Sequence, residues 1–483
     1  MKKSLRRTTP RLEVLGERVN PVVINGTAGN DVITTELLFN EGATDPHAAN
    51  VLLNGSVAGT VNITGAWPFP TTSYFIDQEL TINGLGGNDR VEVGLLRPRD
   101  GDRIHLNGGP GNDTLVGGNG HDHIDGGPGA DDMFGGIDED TLFGDMADVR
   151  LVGGGGQDRL EMNVAGVVKI TDTSLTIGGR TLSDAAGTYG GFFAIVLNGS
   201  SGNDVLDASA FTNVVVELFG NGGNDVLASG ASSRTLLDGG PGNDILFGSP
   251  ADDTLAGGNG NDLLIGGNDT FPDFTINRLF GGAGNDTMLG ATGPNQMFGG
   301  PGNDDLVGGP RGDGLYGEQG NDSLNGGDGN DLLQGDGDDT GQPPTYSGAD
   351  FLDGAAGEDA LVADGLDRRL FGGPGLDGLT VSTARGNIAL TDTTWRVGTR
   401  LGEAGGLEFA SINGSAFNDT IDVTGYTGFA NLFGLGGNDT LRAGPGGSNL
   451  DGGPGADALF GGTASDTMTG DAADARFVGG GSS

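Results

Sequence analysis

The chain has 483 residues, of which 100 are glycine and none is cysteine, and its 66 acidic against 24 basic side chains give a net charge of −42. This acidic excess argues against binding to nucleic acid, which requires a basic face, and favours cations as partners. The lack of cysteine excludes disulfides and thiolate metal sites. No apolar run is long enough to form a transmembrane segment.

The chain divides into a short tail and three related modules. Residues 1–20 are predicted to form a basic, flexible tail, which lacks the apolar core of a secretory signal peptide. The modules are predicted at 21–161, 162–380 and 381–483, and duplication of this kind is typical of a solenoid that grows by adding coils. The modules open on β-rich stretches and contain glycine-rich runs at 108–161, at 239–334 with 345–380, and at 434–483.

A nine-residue block is the unit of these runs. From Gly108 onward, consecutive blocks follow the pattern Gly-Gly-x-Gly-x-Asp-x-apolar-x, and the apolar residue at the eighth position is never lost in this run. A disordered glycine-rich linker is the main alternative, but such a linker has no reason to keep that phase. The pattern is typical of calcium-binding parallel β-helices.

Stretches with few glycines separate the repeat runs. Their valine, isoleucine, leucine and threonine content predicts β-strands, and no stretch shows a long helical period. Irregular inserts are expected at Asn268–Arg278 and Gly335–Tyr346. We therefore predict an all-β protein, a parallel β-roll or right-handed β-solenoid. The strand-like stretches are Val164–Ile177, Phe192–Asn198, Val214–Leu218 and Asn387–Val397.

Apolar burial alone does not stabilise such a chain. One buried apolar side chain per block contributes roughly 1.5–3 kcal/mol, whereas ordering each of the nine residues costs on the order of 1.5 kcal/mol. A bound cation would stabilise the folded state by linkage. Because aspartate and glycine carbonyls offer only oxygen, calcium is the expected ion, with several ions per chain.

The blocks resemble the RTX, or hemolysin-type, calcium-binding repeats. In that family a six-residue turn precedes a three-residue strand, two blocks make one coil, and the sixth-position aspartates bind calcium between stacked turns together with glycine carbonyls. Val149 and Asn295 stand at the sixth position of their blocks, which puts the sites beside those turns in doubt. The resemblance implies metal ligation by Asp113, Asp122, Asp131, Asp140, Asp158, Asp244, Asp253, Asp262, Asp286, Asp304, Asp313, Asp322, Asp331, Asp359, Asp377, Asp439, Asp457 and Asp466.

The functional expectation is a calcium-binding protein, extracellular or at the cell surface, that folds when calcium binds. The resemblance also implies type I secretion machinery as a partner. One alternative is a structural or adhesive protein, stiffened by calcium, that binds a cell surface or a polysaccharide; another is the calcium-binding tail of a larger hydrolase or toxin. No catalytic constellation is found in the sequence, so an enzyme is not expected. The pair His121 and His123 lacks a third nitrogen ligand for zinc nearby in sequence.

Overall fold

The structure, a computed structural model, contains strands and no helix in the part that it describes. That part therefore holds no helix able to cross a membrane. The predicted tail at 1–20 and the proline pair at 343–344 lie outside it. The described residues are 22–37, 48–53, 56–64, 74–76, 80–93, 96–98, 104–183, 189–213, 215–230, 234–268, 276–336, 348–381, 386–474 and 476–479.

The chain forms two compact units, Met1–Asn221 with Ser229–Ser233, and Gly222–Ala228 with Arg234–Ser483. The three module boundaries given above stay a prediction. The strands of the first unit are β1 Val22–Asn25, β2 Val32–Leu37, β3 Ala48–Leu53, β4 Ser56–Thr64, β5 Tyr74–Ile76, β6 Leu80–Asn83, β7 Arg90–Glu92, β8 Leu96–Pro98, β9 Ile104–Asn107, β10 Thr114–Asn119, β11 Asp122–Asp125, β12 Asp132–Ile137, β13 Thr141–Gly144, β14 Arg150–Gly155, β15 Asp158–Asn163, β16 Val167–Thr171, β17 Ser174–Ile177, β18 Arg180–Ser183, β19 Tyr189–Gly190, β20 Phe192–Asn198, β21 Val205–Ala210 and β22 Val215–Phe219.

The second unit continues the same alternation of short strands and turns. Its strands are β23 Val226–Ala228, β24 Arg234–Pro241, β25 Ile245–Phe247, β26 Asp252–Asn259, β27 Leu263–Ile265, β28 Asn277–Ala283, β29 Thr287–Leu289, β30 Asn295–Pro301, β31 Asp305–Gly309, β32 Gly314–Gln319, β33 Ser323–Asp328, β34 Leu332–Asp336, β35 Phe351–Ala356, β36 Ala360–Ala363, β37 Arg369–Phe371, β38 Gly378–Val381, β39 Asn387–Thr391, β40 Thr394–Val397, β41 Arg400–Gly405, β42 Phe409–Asn413, β43 Thr420–Gly425, β44 Phe429–Phe433, β45 Thr440–Arg442, β46 Ser448–Asp451, β47 Ala458–Phe460, β48 Asp466–Thr469 and β49 Arg476–Val478.

Strands of successive coils pair in parallel within each unit. In the first unit β10 pairs with β12 and β11 with β13. In the second, β28, β30, β32 and β34 pair in sequence, while β29, β31 and β33 form the ladder of the other sheet. Neighbouring blocks thus enter different sheets, and two blocks make one coil. The predicted parallel β-roll built from nonapeptide repeats is confirmed.

The eighth-position residues form the core between the two sheets. Leu115 pairs with Met133, which pairs with Leu151, and all three side chains are completely buried. In the second unit Met297 and Leu315 pair in the same way and are also fully buried. Each coil adds a few apolar side chains to the core, so its interior is a narrow row and not a globular cluster.

Two of the predicted strand stretches are hairpins. Val164–Ile177 contains β16 and β17, which pair antiparallel across Asp172 and Thr173. Asn387–Val397 contains β39 and β40, paired in the same way. The insert expected at Asn268–Arg278 is shorter than predicted, since β28 already begins at Asn277, and residues 269–275 lie outside the described part.

Candidate metal centres

The sixth-position aspartates lie buried in the turns that precede the strands. Asp286, Asp304 and Asp322 are exposed by only 1%, 2% and 1%. A buried carboxylate is costly unless it is paired, because burial removes its hydration. The groups that surround these carboxylates therefore determine which ligand the turns can bind.

One carboxylate oxygen of each aspartate joins it to the preceding coil. The backbone N–H of Asp113 donates to Oδ1 of Asp131 at 2.7 Å, and that of Asp140 donates to Oδ1 of Asp158 at 2.8 Å. We call a run of aspartates linked in this way an aspartate ladder. The first unit contains the ladders Asp31, Asp89, Asp113, Asp131, Asp148 and Asp122, Asp140, Asp158.

The second unit contains three ladders of the same kind, one of which links eight aspartates. Their links are 2.7–3.3 Å long. The ladders are Asp225, Asp244, Asp262, Asp286, Asp304, Asp322, Asp350, Asp367, then Asp313, Asp331, Asp359, Asp377, and then Asp419, Asp439, Asp457, Asp474.

The second carboxylate oxygen points into a cradle lined by glycine. Oδ2 of Asp286 is buried and receives no hydrogen bond. A Cβ built on Gly281 would lie 2.5 Å from this oxygen and 2.6 Å from the carbonyl oxygen of Gly299 in the next coil. Only glycine fits there, since any side chain would displace both oxygens. Gly299 and Gly317 repeat the arrangement around Asp304 and Asp322, with the same two distances.

The cradle suits a hard cation. Turns such as those of Asp286, Asp304 and Asp322 bring a carboxylate oxygen without a donor and a backbone carbonyl oxygen close to the same point. Calcium takes six to eight oxygen ligands from such groups, whereas zinc prefers nitrogen and sulfur. The residues present therefore fit calcium.

Without a cation, the ladders resist ionisation. Burial, reinforced by the charge of neighbouring carboxylates, raises the pKa of Asp322 to about 8, of Asp140 to about 8 and of Asp304 to about 7. Hydrogen bonds from the backbone oppose the rise without cancelling it. A bound cation would remove this penalty, because an adjacent positive charge favours the ionised form.

For some predicted ligands, the equivalent position in one or both neighbouring coils is not an aspartate. Asp253 lies between Thr235 and Asn277. Asp466 pairs with Ser448 and is only partly buried. Asp377 ends its ladder, and its N–H donates to Oε2 of Glu408 at 2.9 Å.

Asn295 shows what a ladder position holds when the charge is missing. Its backbone N–H donates to Oδ1 of Asp313 at 2.7 Å, so the link between coils is kept. Its side-chain amide donates to the same oxygen at 2.9 Å and to the carbonyl of Gly293 at 2.8 Å. The amide thus fills the cradle with its own hydrogen bonds.

Sequence reasoning missed the residues that end three ladders. The N–H groups of Asp131, Asp350 and Asp457 donate to an aspartate 17 residues later instead of 18. Each of these later residues closes a turn that is one residue short, in a repeated Asp-x-x-Asp-x-Arg sequence. They are Asp148, Asp367 and Asp474. In the first of these turns Val149 occupies the sixth position of the repeat, but the preceding residue, Asp148, accepts the hydrogen bond from the coil before it.

The histidine pair does not form a metal cluster. His121 is exposed and its Nδ1 lies 3.7 Å from Oε2 of Glu139, while the ring of His123 packs between those of His105 and Phe143. Within the described ranges, one group of three carboxylates lies close enough together to share an ion: Asp336, Asp350 and Asp367.

Comparison with known families agrees with this geometry. The RTX calcium-binding nonapeptide repeat matches the chain in many copies, and together the matches cover more than half of it. No curated protein matches the chain in a sequence comparison. The matched residues are 23–36, 107–142, 196–215, 217–236, 238–270, 280–310, 307–340, 345–367, 424–447, 433–468 and 451–481. The chain is therefore a calcium-binding protein of the RTX nonapeptide-repeat family.

Proposed function

We propose that calcium ions bind along the aspartate ladders and that their binding drives folding of the chain in an extracellular or cell-surface setting. The observation that supports this most directly is the row of buried Oδ2 atoms without hydrogen-bond donors, among them those of Asp286, Asp304 and Asp322. Buried carboxylates are normally satisfied by hydrogen bonds or by a metal. A cation in each cradle supplies the missing partner.

The ligands proposed are the ladder aspartates with the glycine carbonyls that face them. Interior turns such as those of Asp286 and Asp304 have a carboxylate in the coil on either side. Asp253 and Asp466 lack this arrangement, so we expect weaker sites there.

Coupling to folding follows from where the ligands come from. Asp304 and Asp322 are 18 residues apart and approach only when two coils stack. The unfolded chain therefore has no preformed site, and the free energy of binding becomes free energy of folding. At low calcium, burial and mutual repulsion make ionised ladder carboxylates costly in the folded chain, and the narrow apolar core gives little to oppose this cost.

An extracellular setting agrees with this chemistry. Extracellular modules bind calcium with dissociation constants of about 10⁻⁴ to 10⁻³ M, so ladders of that affinity would be empty in the cytosol and filled outside. Resemblance to the RTX family supports export by type I secretion machinery.

Far-ultraviolet circular dichroism of the full chain tests the coupling. We expect strand content to rise on addition of calcium and to fall again with EDTA, while magnesium at the same concentration has a much smaller effect because it dehydrates reluctantly. Isothermal titration calorimetry should show uptake of several ions. If strand content is unchanged after chelation while calcium still binds, the ion only stiffens a preformed scaffold, which is the structural or adhesive alternative.

A further inference from the structure

Three buried carboxylates meet in the second unit at one end of a ladder. Asp336, Asp350 and Asp367 are exposed by 6%, 0% and 5%. One carboxylate oxygen from each lies within 4.8 Å of the other two. No other group of this kind occurs among the residues that the structure describes.

The three aspartates occupy different positions in the repeat. Asp350 is the sixth-position residue of a block that begins at Gly335, because its Oδ2 lies against Gly335 as in the other cradles. Asp367 ends the ladder from a shortened turn, where its Oδ1 accepts the N–H of Asp350 at 3.2 Å. Asp336 follows Gly335 directly, and residues 337–347 separate it from the rest of the block.

Asp336 is the unusual member. It stands at the second position of its block, where the block of Gly126 carries Gly127. Both of its carboxylate oxygens are buried without a hydrogen bond of normal geometry, and Oδ2 of Asp350 is in the same state. A carboxylate held at 6% exposure beside two others, without a hydrogen bond of normal geometry, is costly unless a cation is present.

We infer that Asp336, Asp350 and Asp367 form a divalent-cation site of their own kind, with calcium as the ion. The comparable ladder end at Asp131 and Asp148 has the same shortened turn but only glycine at the position of Asp336. The third carboxylate adds a negative charge to an all-oxygen site, and calcium affinity rises with ligand charge. This site fills at lower calcium than the ladder sites, by about tenfold or more.

The inference rests on the proposed calcium chemistry but concerns a separate site, so counting ions distinguishes the two. Asp336→Asn in the full chain is expected to remove the tightest calcium-binding step and one bound ion, measured by calorimetry. Asp336→Gly, which restores the residue found in other blocks, is expected to give the same result. The control is Asp305→Asn, because Asp305 is an exposed strand residue and the charge change is the same.

Trp395 offers an independent readout. Its indole N–H donates to the carbonyl oxygen of Asp367 at 3.0 Å, and the side chain is 2% exposed. Terbium bound at the site should therefore emit when the indole is excited, in a chain that carries Trp67→Phe so that Trp395 is the single tryptophan. We expect Asp336→Asn and Asp336→Gly to abolish this emission and Asp305→Asn to leave it unchanged.

The outcomes separate the two proposals. If neither the parent nor any variant binds calcium, the proposed function is wrong. If the ladders bind calcium but both Asp336 variants keep the tightest step and the terbium signal of the parent, the three-carboxylate site is wrong while the ladder sites stand. Circular dichroism in calcium shows whether each variant reaches the strand content of the parent. If one Asp336 variant does not, the other decides the result.

Discussion

Replacing a ladder aspartate by asparagine should change stability in opposite directions with and without calcium. Asp304 is the best position, because its Oδ1 accepts the N–H of Asp286 at 2.8 Å and its Oδ2 has no hydrogen bond. Asp304→Asn can keep the first contact while it removes the charge. Asn295 shows that an amide finds acceptors in such a cradle.

The magnitude without calcium follows from the pKa. Burial first, and then the charge of Asp286 and Glu318, raises the pKa of Asp304 from 3.8 to about 7. A shift of roughly three units corresponds to a cost on the order of 4 kcal/mol for the ionised form in the folded state. An imperfectly bonded amide costs about 1–3 kcal/mol. We therefore expect the calcium-free variant to be more stable than the parent by roughly 1–3 kcal/mol.

In calcium, Asp304→Asn is expected to be less stable than the parent. The variant loses a charged ligand and the stabilisation that the ion provides, about 2.7 kcal/mol at a free concentration one hundred times the dissociation constant. Strand content by circular dichroism in EDTA and urea unfolding in excess calcium measure the two effects, and Asp305→Asn controls for the loss of one charge. If Asp304→Asn shows no more strand content than the parent in EDTA and is destabilised in calcium, the carboxylate acts only in packing and the reasoning is refuted.

Three further outcomes are expected. Asn295→Asp should add one bound calcium ion by calorimetry and lower the stability of the calcium-free chain; no added ion would contradict the cradle assignment. The calcium-free chain should lose stability as the pH rises from about 4 to 8, because carboxyls such as Asp322, whose pKa burial raises from 3.8 to about 8, hold more protons when folded than when unfolded. The strand content of the calcium-free chain, followed by circular dichroism, should fall across this range, and a rise would count against the reasoning. Gly281→Ala places a Cβ 2.5–2.6 Å from two proposed ligand oxygens and should cost about 1–3 kcal/mol in calcium. Gly155→Ala, where nothing lies within 4 Å of the added Cβ, should change thermal stability little.

The regular part of the fold can be predicted from the phase of the repeat. A fixed spacing of nine residues places Leu115 and Met133 in the core, and it also places Asp113 and Asp131 at equivalent turns. Both follow because each block must repeat the same backbone path if strands are to pair in parallel. Even Asp31 and Asp89, which look isolated in the sequence, join the ladder of Asp113.

Features that depend on a change of phase could not be predicted in this way. A strict nine-residue count places Val149 at the sixth position of its block. The residue that accepts the N–H of Asp131 is instead Asp148, because the turn is one residue short. A repeated Asp-x-x-Asp-x-Arg signal was available for such turns. The hairpin at Val164–Ile177 turns at Asp172 and Thr173, without the glycine or Asn-Gly pair that normally marks a hairpin. The proximity of Asp336 to Asp350 could not be predicted, because the sequence between them does not follow the nine-residue repeat.

The direction of the aspartate links determines which coil completes each turn. The N–H of Asp113 is capped by Asp131, so a turn is completed by the coil that follows it. The asparagines beside them work the other way, since the N–H of Ala130 donates to Oδ1 of Asn112 in the earlier coil. The turn at the carboxyl-terminal end of a ladder therefore stays open unless a further coil stacks on it, whereas the first turn is capped by the coil after it. The two ends of a ladder are not equivalent, and only one of them offers an uncapped N–H to a further coil.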